Sequence, residues 1–224
     1  MHSYREAREH FINLAGTVDA GATVPACPDW TVLELLAHQV HQLAGAVDAS
    51  FPIADALAAV SGDRQALNRQ QVWIDDGVQR WCQNGTRDLC DAWATLVADA
   101  PPVVLDGLLP DIVVHLFDLA GAAASKKYRR EPMVTDAVRF WSTTAGERLA
   151  HLGYDGPLLQ LGSGVAIGRP DAGVQIVGSR FEVMRLLTGR RARDQARLLV
   201  QRAPDAVSID ALSAYGWRDS PLVE

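Results

Sequence analysis

Apolar residues recur every three or four positions through most of the first 125 residues of this chain, in segments separated by short loops. That spacing is the period of an α-helix with one buried face. The segments with this period are residues 4–18, 27–47, 63–83 with a continuation at 86–99, and 105–124. Long helices joined by short loops favour an antiparallel four-helix bundle.

The second segment, "CPDWTVLELLAHQVHQLAGAV", carries the clearest helix start. Pro28 precedes it, and Thr31 and Glu34 have the spacing of a capping box, in which each side chain bonds to the backbone of the other residue. Cys27 is predicted to lie in the turn ahead of this helix. Further along, "PPVV" at 101–104 predicts a break in the chain before the fourth helix.

The sequence pattern changes after about residue 130. "TDAVRFWSTTAGERLAHLG" predicts one more helix, whereas "GPLLQLGSGVAIG" and "AGVQIVGS" alternate like short strands with glycine between them. "RFEVMRLLTGR" and "ARDQARLLVQRA" return to helical spacing. The predicted fold is therefore mainly α, with a bundle domain over 1–130 followed by a small α+β domain over 131–224.

The charge balance disfavours a nucleic-acid partner. The net charge is -6 and the sequence pI is about 5.5, whereas binding to phosphate backbones requires a basic surface. Two stretches, "SKKYRR" at 125–130 and "GRRARDQAR" at 189–197, are locally basic. Each is compatible with a solvated surface or with an anion site.

Apolar runs and cysteine usage indicate a protein of the cytoplasm. The longest apolar runs are interrupted by Asp or Gly before the roughly 20 residues that span a bilayer, and "MHSYREAREHF" has no apolar signal core. We therefore expect neither membrane insertion nor export. Cys27, Cys82 and Cys90 form no C-x-x-C pair, which is typical of a reducing compartment.

Two carboxylates and an imidazole interrupt the apolar stretch "PDIVVHLFD" at 110–118. Asp111 and His115 are four residues apart, so on a helix they lie on the same face. Carboxylate oxygen and neutral imidazole nitrogen both suit a zinc-like cation. His38, in the apolar middle of the second helix, is the candidate third ligand, because helical bundles mount ligands on their interior faces.

Each of these residues also has an alternative interpretation. His38 is compatible with an ordinary hydrogen-bonded core histidine, and His41 is an alternative ligand one turn further on. Asp111 follows Pro110 and suits a helix N-terminus, where the helix dipole favours negative charge. Asp118 suits either a solvated charge or a partner that orients a ligand.

Three segments resemble the mycothiol-dependent maleylpyruvate isomerase family, a branch of the DinB-like four-helix metalloproteins. "VPACPDWTVLELLAHQV" resembles the family segment V-P-x-C-P-x-W-[ST]-x-x-[DE]-L-x-x-H, and "DIVVHLFDLAGA" resembles E-x-x-x-H-x-W-D. "VGSRFEVMRLLTGR" resembles a C-terminal segment that ends in L-T-G-R. The three segments occur in the family's order and span most of the chain.

This resemblance implies a DinB-like bundle that binds a divalent metal, usually zinc, through His38, Asp111 and His115. It also implies a low-molecular-weight thiol such as mycothiol and a substrate bound between the bundle and the small domain. Arg190 falls on the arginine that closes the C-terminal segment. The sequence departs from the family at Asp111, where the family has the longer Glu, and at Phe117, where it has Trp.

The leading functional hypothesis is a metal-dependent isomerase or thiol S-transferase acting on a small electrophilic substrate. Three protein ligands leave an open metal position, where a bound thiol ionises at neutral pH. Arg190 is assigned to bind a carboxylate of substrate or cofactor, with a helix C-terminal charge as its structural alternative. For Cys27 and Trp30, packing is favoured over a nucleophilic or substrate-binding role.

Two other classes of function stay open at this stage. One is a DinB-like binding or regulatory module without chemistry, which Asp111 in place of Glu favours. The other is a metal-free helical interaction domain. Nickel and iron are alternatives to zinc, because two histidines and a carboxylate also form the iron-binding facial triad, and an exposed bundle face is compatible with a homodimer.

Overall fold

The computed structural model describes residues 2–162 and 164–224, which form two compact units. The described residues of the first unit are 2–56, 64–128 and 224, and those of the second are 57–63 and 129–223. Helices make up 59% of the structure, and strands are concentrated in a small C-terminal region. The predicted class, a helical bundle with a small α+β part, is confirmed, and the assignment of 1–130 and 131–224 as domains stays a prediction.

The first unit is a helical bundle built around one central helix. Its elements, together with a short helix that continues into the second unit, are α1 (His2–Ala15), β1 (Thr23–Val24), β2 (Cys27–Thr31), α2 (Val32–Val47), α3 (Ile53–Val60), α4 (Arg64–Trp81), α5 (Thr86–Asp99) and α6 (Pro102–Ala122). Helix α2 packs against α4, α5 and α6, while α1 packs against α6. The side chains in the middle of α2 are therefore enclosed on several sides.

Helix α2 begins with the predicted capping box. The Thr31 hydroxyl accepts a hydrogen bond from the Glu34 backbone N–H at 3.3 Å, and the Glu34 carboxylate accepts one from the Thr31 backbone N–H at 2.7 Å. These bonds satisfy backbone donors that the first helical turn leaves without partners. The cap fixes the start of α2 and thereby which side chains of the helix face the interior.

Helix α6 starts earlier than the sequence predicts. The predicted break is present at Ala100 and Pro101, between α5 and α6, but Pro102 is already the first helical residue, a position where a missing N–H costs nothing. As a result Pro110 and Asp111 lie inside the helix. The interpretation of Asp111 as a helix N-terminal residue is therefore wrong.

Three further differences involve short elements. The expected helix at 63–83 and its continuation are two separate helices, α4 and α5, divided by a turn at residues 82–85. Helix α3 was not predicted. Strands β1 and β2 form an antiparallel hairpin that was not predicted either, so Cys27 begins a strand instead of lying in a turn. Strands of two and five residues are too short to produce a clear alternating pattern.

The second unit combines helices with a four-stranded sheet. Its elements are α7 (Pro132–His151), β3 (Leu158–Leu161), β4 (Ala166–Ile167), β5 (Gln175–Gly178), α8 (Arg180–Leu187), α9 (Arg193–Leu199), β6 (Val200–Arg202) and α10 (Ala206–Asp210). The strand order is β4-β3-β5-β6, in which β3 and β5 are parallel and the outer pairings are antiparallel.

The predicted strands and helices of this unit are found, with one correction, and the short helix α10 was not predicted. The last helical segment ends at Leu199, and the residues after it form the edge strand β6. Ser163, within one predicted strand segment, lies outside the described residues. Basic side chains of the 189–197 stretch form ion pairs, including a two-point contact of Arg191 with Glu182 at 2.8 and 3.1 Å. No helix of the described residues is long and apolar enough to cross a membrane.

Candidate metal centre

Helices α2 and α6 bring the three predicted ligands together inside the first unit. Asp111 lies between the two imidazoles: its Oδ2 is 3.7 Å from Nε2 of His38, and its Oδ1 is 3.6 Å from Nε2 of His115. One ligand atom from each residue lies within 4.8 Å of the other two. The shorter carboxylate side chain thus reaches both histidines.

These separations suit a single tetrahedral cation. Two donor atoms that bind zinc at about 2.1 Å lie roughly 3.4 Å apart in tetrahedral geometry. The observed 3.6 and 3.7 Å are close to this value, each measured to a different oxygen of Asp111. His38 and His115 are only 2% and 7% exposed, and Asp111 is about a quarter exposed. Solvent therefore has access at the carboxylate side of the group.

The electrostatics of the group are dominated by its carboxylates. Burial alone would lower the pKa of His115, but the charge of Asp111 and the contact with Asp118 outweigh it and raise the pKa to about 10. Burial would raise the pKa of Asp111, but the imidazoles of His115 and His38 lower it below its usual value. For His38 burial prevails and lowers the pKa. The group as a whole favours bound positive charge.

Asp118 lies behind His115, on the side away from Asp111. It is fully buried, and its Oδ2 is 2.9 Å from Nδ1 of His115. The interpretation of Asp118 as a solvated charge is therefore wrong. The contact is an ion pair and not an aligned hydrogen bond, because Nδ1 has no hydrogen-bond partner among the described residues. The Cys27 thiol donates to the same carboxylate at 3.4 Å.

Two glutamines of α2, which the sequence analysis missed, contact the group directly. The Gln39 amide donates to Oδ2 of Asp111 at 2.9 Å, and Nε2 of Gln42 lies 2.9 Å from Nε2 of His38. Both glutamines are buried. Gln42 is one helical turn after His38, so helical spacing alone was a signal for it, whereas nothing in the sequence pattern distinguished Gln39.

Trp30 covers the two imidazoles from the end of β2. Its ring centroid is 4.8 Å from that of His38 and 6.0 Å from that of His115. The side chain is only partly buried. Trp30 is thus a wall of the site, in addition to the packing role that the sequence analysis favoured.

His41, the alternative ligand, belongs to a different environment. Its ring is tilted against Trp73 with centroids 3.8 Å apart, and its Nε2 is 3.1 Å from the Trp73 carbonyl oxygen. Neither donor group found among the described residues includes it. His41 is a packing residue of the α2–α4 contact.

Arg190 lies in the second unit, just after α8. Its guanidinium donates to the Thr188 carbonyl at 2.8 Å and lies over the Tyr215 ring at 5.7 Å. Gly189, between Thr188 and Arg190 in the sequence, has a φ of 74°, the left-handed conformation of a helix C-terminus. The bond to Thr188 fits the helix-end alternative, and a role for Arg190 in binding substrate or cofactor stays a prediction.

Comparison with known proteins finds relatives by structure alone. No protein-family model matches the sequence, and no curated protein sequence matches it. Two crystal structures share the fold: mycothiol-dependent maleylpyruvate isomerase, with 12% sequence identity, and a point mutant of it, with 13%. Each match has a TM-score of 0.50 and covers 84% of this chain and 87% of the other. The chain therefore has a distant structural relationship to mycothiol-dependent maleylpyruvate isomerase.

Proposed function

We propose that this protein is a metal-dependent enzyme that uses a low-molecular-weight thiol, such as mycothiol, to isomerise a small electrophilic substrate or to transfer the thiol to it. The observation that carries this proposal is the convergence of His38, Asp111 and His115 from two helices into one buried donor group. The shared fold of mycothiol-dependent maleylpyruvate isomerase supports it. Zinc is the proposed metal, since two imidazoles and one carboxylate form a common catalytic zinc set.

The donor group fits a catalytic centre better than a structural one. Three protein ligands leave a fourth position open, and the partly exposed side chain of Asp111 marks where solvent reaches the group. A divalent cation held there supplies Lewis acidity, which favours the ionised form of a bound thiol at neutral pH.

The surrounding residues orient the donors and limit water. Asp118 presents a buried negative charge to Nδ1 of His115, which favours the imidazole orientation that directs Nε2 at Asp111. Trp30 shields the faces of both imidazoles. In this proposal Arg190 binds a carboxylate of the substrate or the thiol cofactor, as a guanidinium fork is suited to do.

The proposal is tested by Co²⁺ loading followed by an activity assay. We expect visible d–d absorption in the wild-type protein and its loss in His38→Ala and Asp111→Ala, while His41→Ala, a change at a second buried histidine of the same helix, retains it. Mycothiol-dependent isomerisation of maleylpyruvate, or adduct formation between mycothiol and another electrophile, should follow the same order. Unchanged Co²⁺ spectra in both ligand variants would refute the proposed site.

A second candidate function is a metal-binding module without catalysis. The glutamines favour it: Gln39 already bonds to Asp111 and Gln42 to His38, so a cation must compete with both amides. Such a module predicts normal Co²⁺ binding with no effect of added mycothiol on the d–d spectrum. A spectral change on adding mycothiol indicates thiol ligation and excludes this alternative.

A further inference from the structure

The His115 ring connects two donor groups, one on each side. Its Nε2 faces Asp111 and His38, whereas its Nδ1 faces Asp118 and Cys27. Each side has a group of three donor residues, with His115 common to both, whose ligand atoms lie within 4.8 Å of one another. The second group comes from separate elements, since Cys27 begins strand β2 while Asp118 and His115 belong to α6.

We propose that Cys27, Asp118 and His115 form a second cation position that is selective for a thiophilic divalent metal. This inference concerns a different set of donors from the proposed catalytic centre and shares only His115 with it. The sequence analysis favoured packing for Cys27, but the structure places its sulfur beside a buried carboxylate instead.

The geometry of the second group is close to what a cation requires. A thiolate and a carboxylate oxygen on one tetrahedral zinc-like ion lie roughly 3.6 Å apart, and Sγ of Cys27 is 3.4 Å from Oδ2 of Asp118. The 2.9 Å between Asp118 and Nδ1 of His115 must widen by about half an ångström to reach the roughly 3.4 Å of tetrahedral ligation. Nδ1 is buried and lacks an aligned hydrogen bond among the described residues, so a cation that displaces the Nδ1 proton gains a ligand nitrogen without breaking such a bond.

The second group of donors carries more negative charge than the first and contains a thiolate, and both properties favour a soft divalent cation. The Cys27 thiolate and the Asp118 carboxylate together neutralise a divalent ion, and the thiol proton and the Nδ1 proton of His115 are both released to solvent when the ion binds. In the first group Asp111 alone leaves one positive charge. Cadmium and similar soft ions prefer thiolate sulfur, whereas two imidazoles and a carboxylate suit zinc and cobalt. The two groups therefore differ in metal preference.

The two positions are alternatives for one metal ion. A neutral imidazole has one lone pair, so His115 donates either through Nε2 to the first position or through Nδ1 to the second. The tautomer of His115 changes with the metal that is bound. A thiophilic ion at Cys27 is thus expected to displace zinc from the catalytic position and to inhibit the proposed activity.

Titration with Cd²⁺ tests this inference through the ultraviolet thiolate-to-metal charge-transfer band. We expect a band that saturates at about one equivalent in the wild-type protein, persists in His38→Ala and is absent in Cys27→Ser. The double variant Cys82→Ser/Cys90→Ser, a matched control for the other thiols, should retain it. Melting temperatures within 3 °C or so of the wild type would show that the variants fold.

A band that survives in Cys27→Ser, that is absent from the wild type, or that is lost in His38→Ala would overturn the separate second position. The proposed function is tested independently, because Co²⁺ binding by Cys27→Ser depends only on His38, Asp111 and His115. Loss of the Cd²⁺ band with normal Co²⁺ binding in Cys27→Ser supports both proposals. A Cd²⁺ band that is present in the wild type and lost in Cys27→Ser, together with no Co²⁺ d–d absorption in Cys27→Ser, would leave the inference standing and remove the catalytic centre.

Discussion

Two buried histidines three residues apart on α2 differ in almost every respect except burial. His38 is 2% exposed and faces a carboxylate and a second imidazole, whereas His41 is 6% exposed and packs on Trp73. Positions three residues apart on a helix differ by only about 60° around its axis and by about one turn along it, and here that offset places His38 against α6 and His41 against Trp73 of α4. Burial of a histidine therefore does not identify a ligand; the chemistry of the facing helix does.

The largest expected effect is the loss of zinc affinity in His38→Ala, whereas His41→Ala should lose stability instead. His38→Ala removes one of the three proposed ligands, so zinc affinity should fall by more than the roughly 10–100-fold typical of lost outer-shell partners. His41→Ala should retain zinc affinity but lose about 2–5 kcal/mol of unfolding free energy, as for other large buried side chains. Zinc affinity is measured by chelator competition in the Cys27→Ser background, and stability by urea unfolding. Equal zinc affinities of the two variants would contradict the distinction.

The packing around His41 depends on a glycine, Gly77, on the neighbouring helix α4. A Cβ at Gly77 would lie 1.9 Å from Cδ2 of His41, whose ring cannot move away because Trp73 lies against it. Gly77→Ala should therefore destabilise the protein by about 1–3 kcal/mol, although alanine is the better helix former. Gly107→Ala, on a helix position with open space around it, is the control and should be neutral or stabilising. A stable Gly77→Ala variant would show that α2 and α4 can separate.

The electrostatic support of His115 by Asp118 predicts a smaller effect on the metal. Asp118→Asn keeps the size of the side chain and removes its charge, so zinc affinity should fall by roughly 10–100-fold. Unfolding free energy without zinc should fall too, because His115 loses a partner of its charged form. Isothermal titration in the Cys27→Ser background measures the affinity. An unchanged affinity would mean that Asp118 has no influence on the first donor group.

The pKa of His115 predicts how pH controls metal binding. Without metal the imidazole is protonated at neutral pH, because its pKa is raised from 6.5 to about 10. The resulting stabilisation is fully present below pH 6.5 and is lost as pH rises through 10. Asp111, with a lowered pKa, adds stabilisation that is present above pH 3.8 and is lost at more acidic pH. The metal-free protein should therefore be most stabilised by this pair between pH 3.8 and 6.5.

Zinc must displace the proton from His115, whereas His38 is already neutral because burial lowers its pKa. Zinc binding near pH 7 should thus release about one proton from His115, and affinity should rise by roughly tenfold per pH unit. Titration calorimetry in two buffers of different ionisation enthalpy counts the released proton in the Cys27→Ser background. Binding without proton release would show that the carboxylates do not hold His115 in its charged form.

The sequence predicted the long helices and the pairing of Asp111 with His115 because both depend on helical spacing, whereas His38 was added from its apolar surroundings and from the family resemblance. The capping box at Thr31 and Glu34 and the buried face of α2 follow directly from local patterns. The sequence did not reveal the β1–β2 hairpin, because such short strands give no clear alternating pattern. The position of Cys27 beside Asp118 was therefore missed, as these residues are 91 positions apart.

The role of Asp111 was the point at which the sequence and the structure led to different expectations. Asp111 in place of the family's longer Glu favoured a module without chemistry, but the two oxygens of Asp111 lie 3.6 and 3.7 Å from the imidazoles.

The smallest expected effect is that of Asp111→Glu. The added methylene must be accommodated beside Gln39, which bonds to the present carboxylate, so zinc affinity should change by less than about threefold, equivalent to well under 1 kcal/mol. Asp111→Ala serves as the reference for complete loss of the ligand. An increase of tenfold or more in Asp111→Glu would mean that the short carboxylate reaches the metal poorly. That result would favour the metal-binding module without catalysis, because the metal centre that contains His38 would then bind its ion weakly in the wild-type protein.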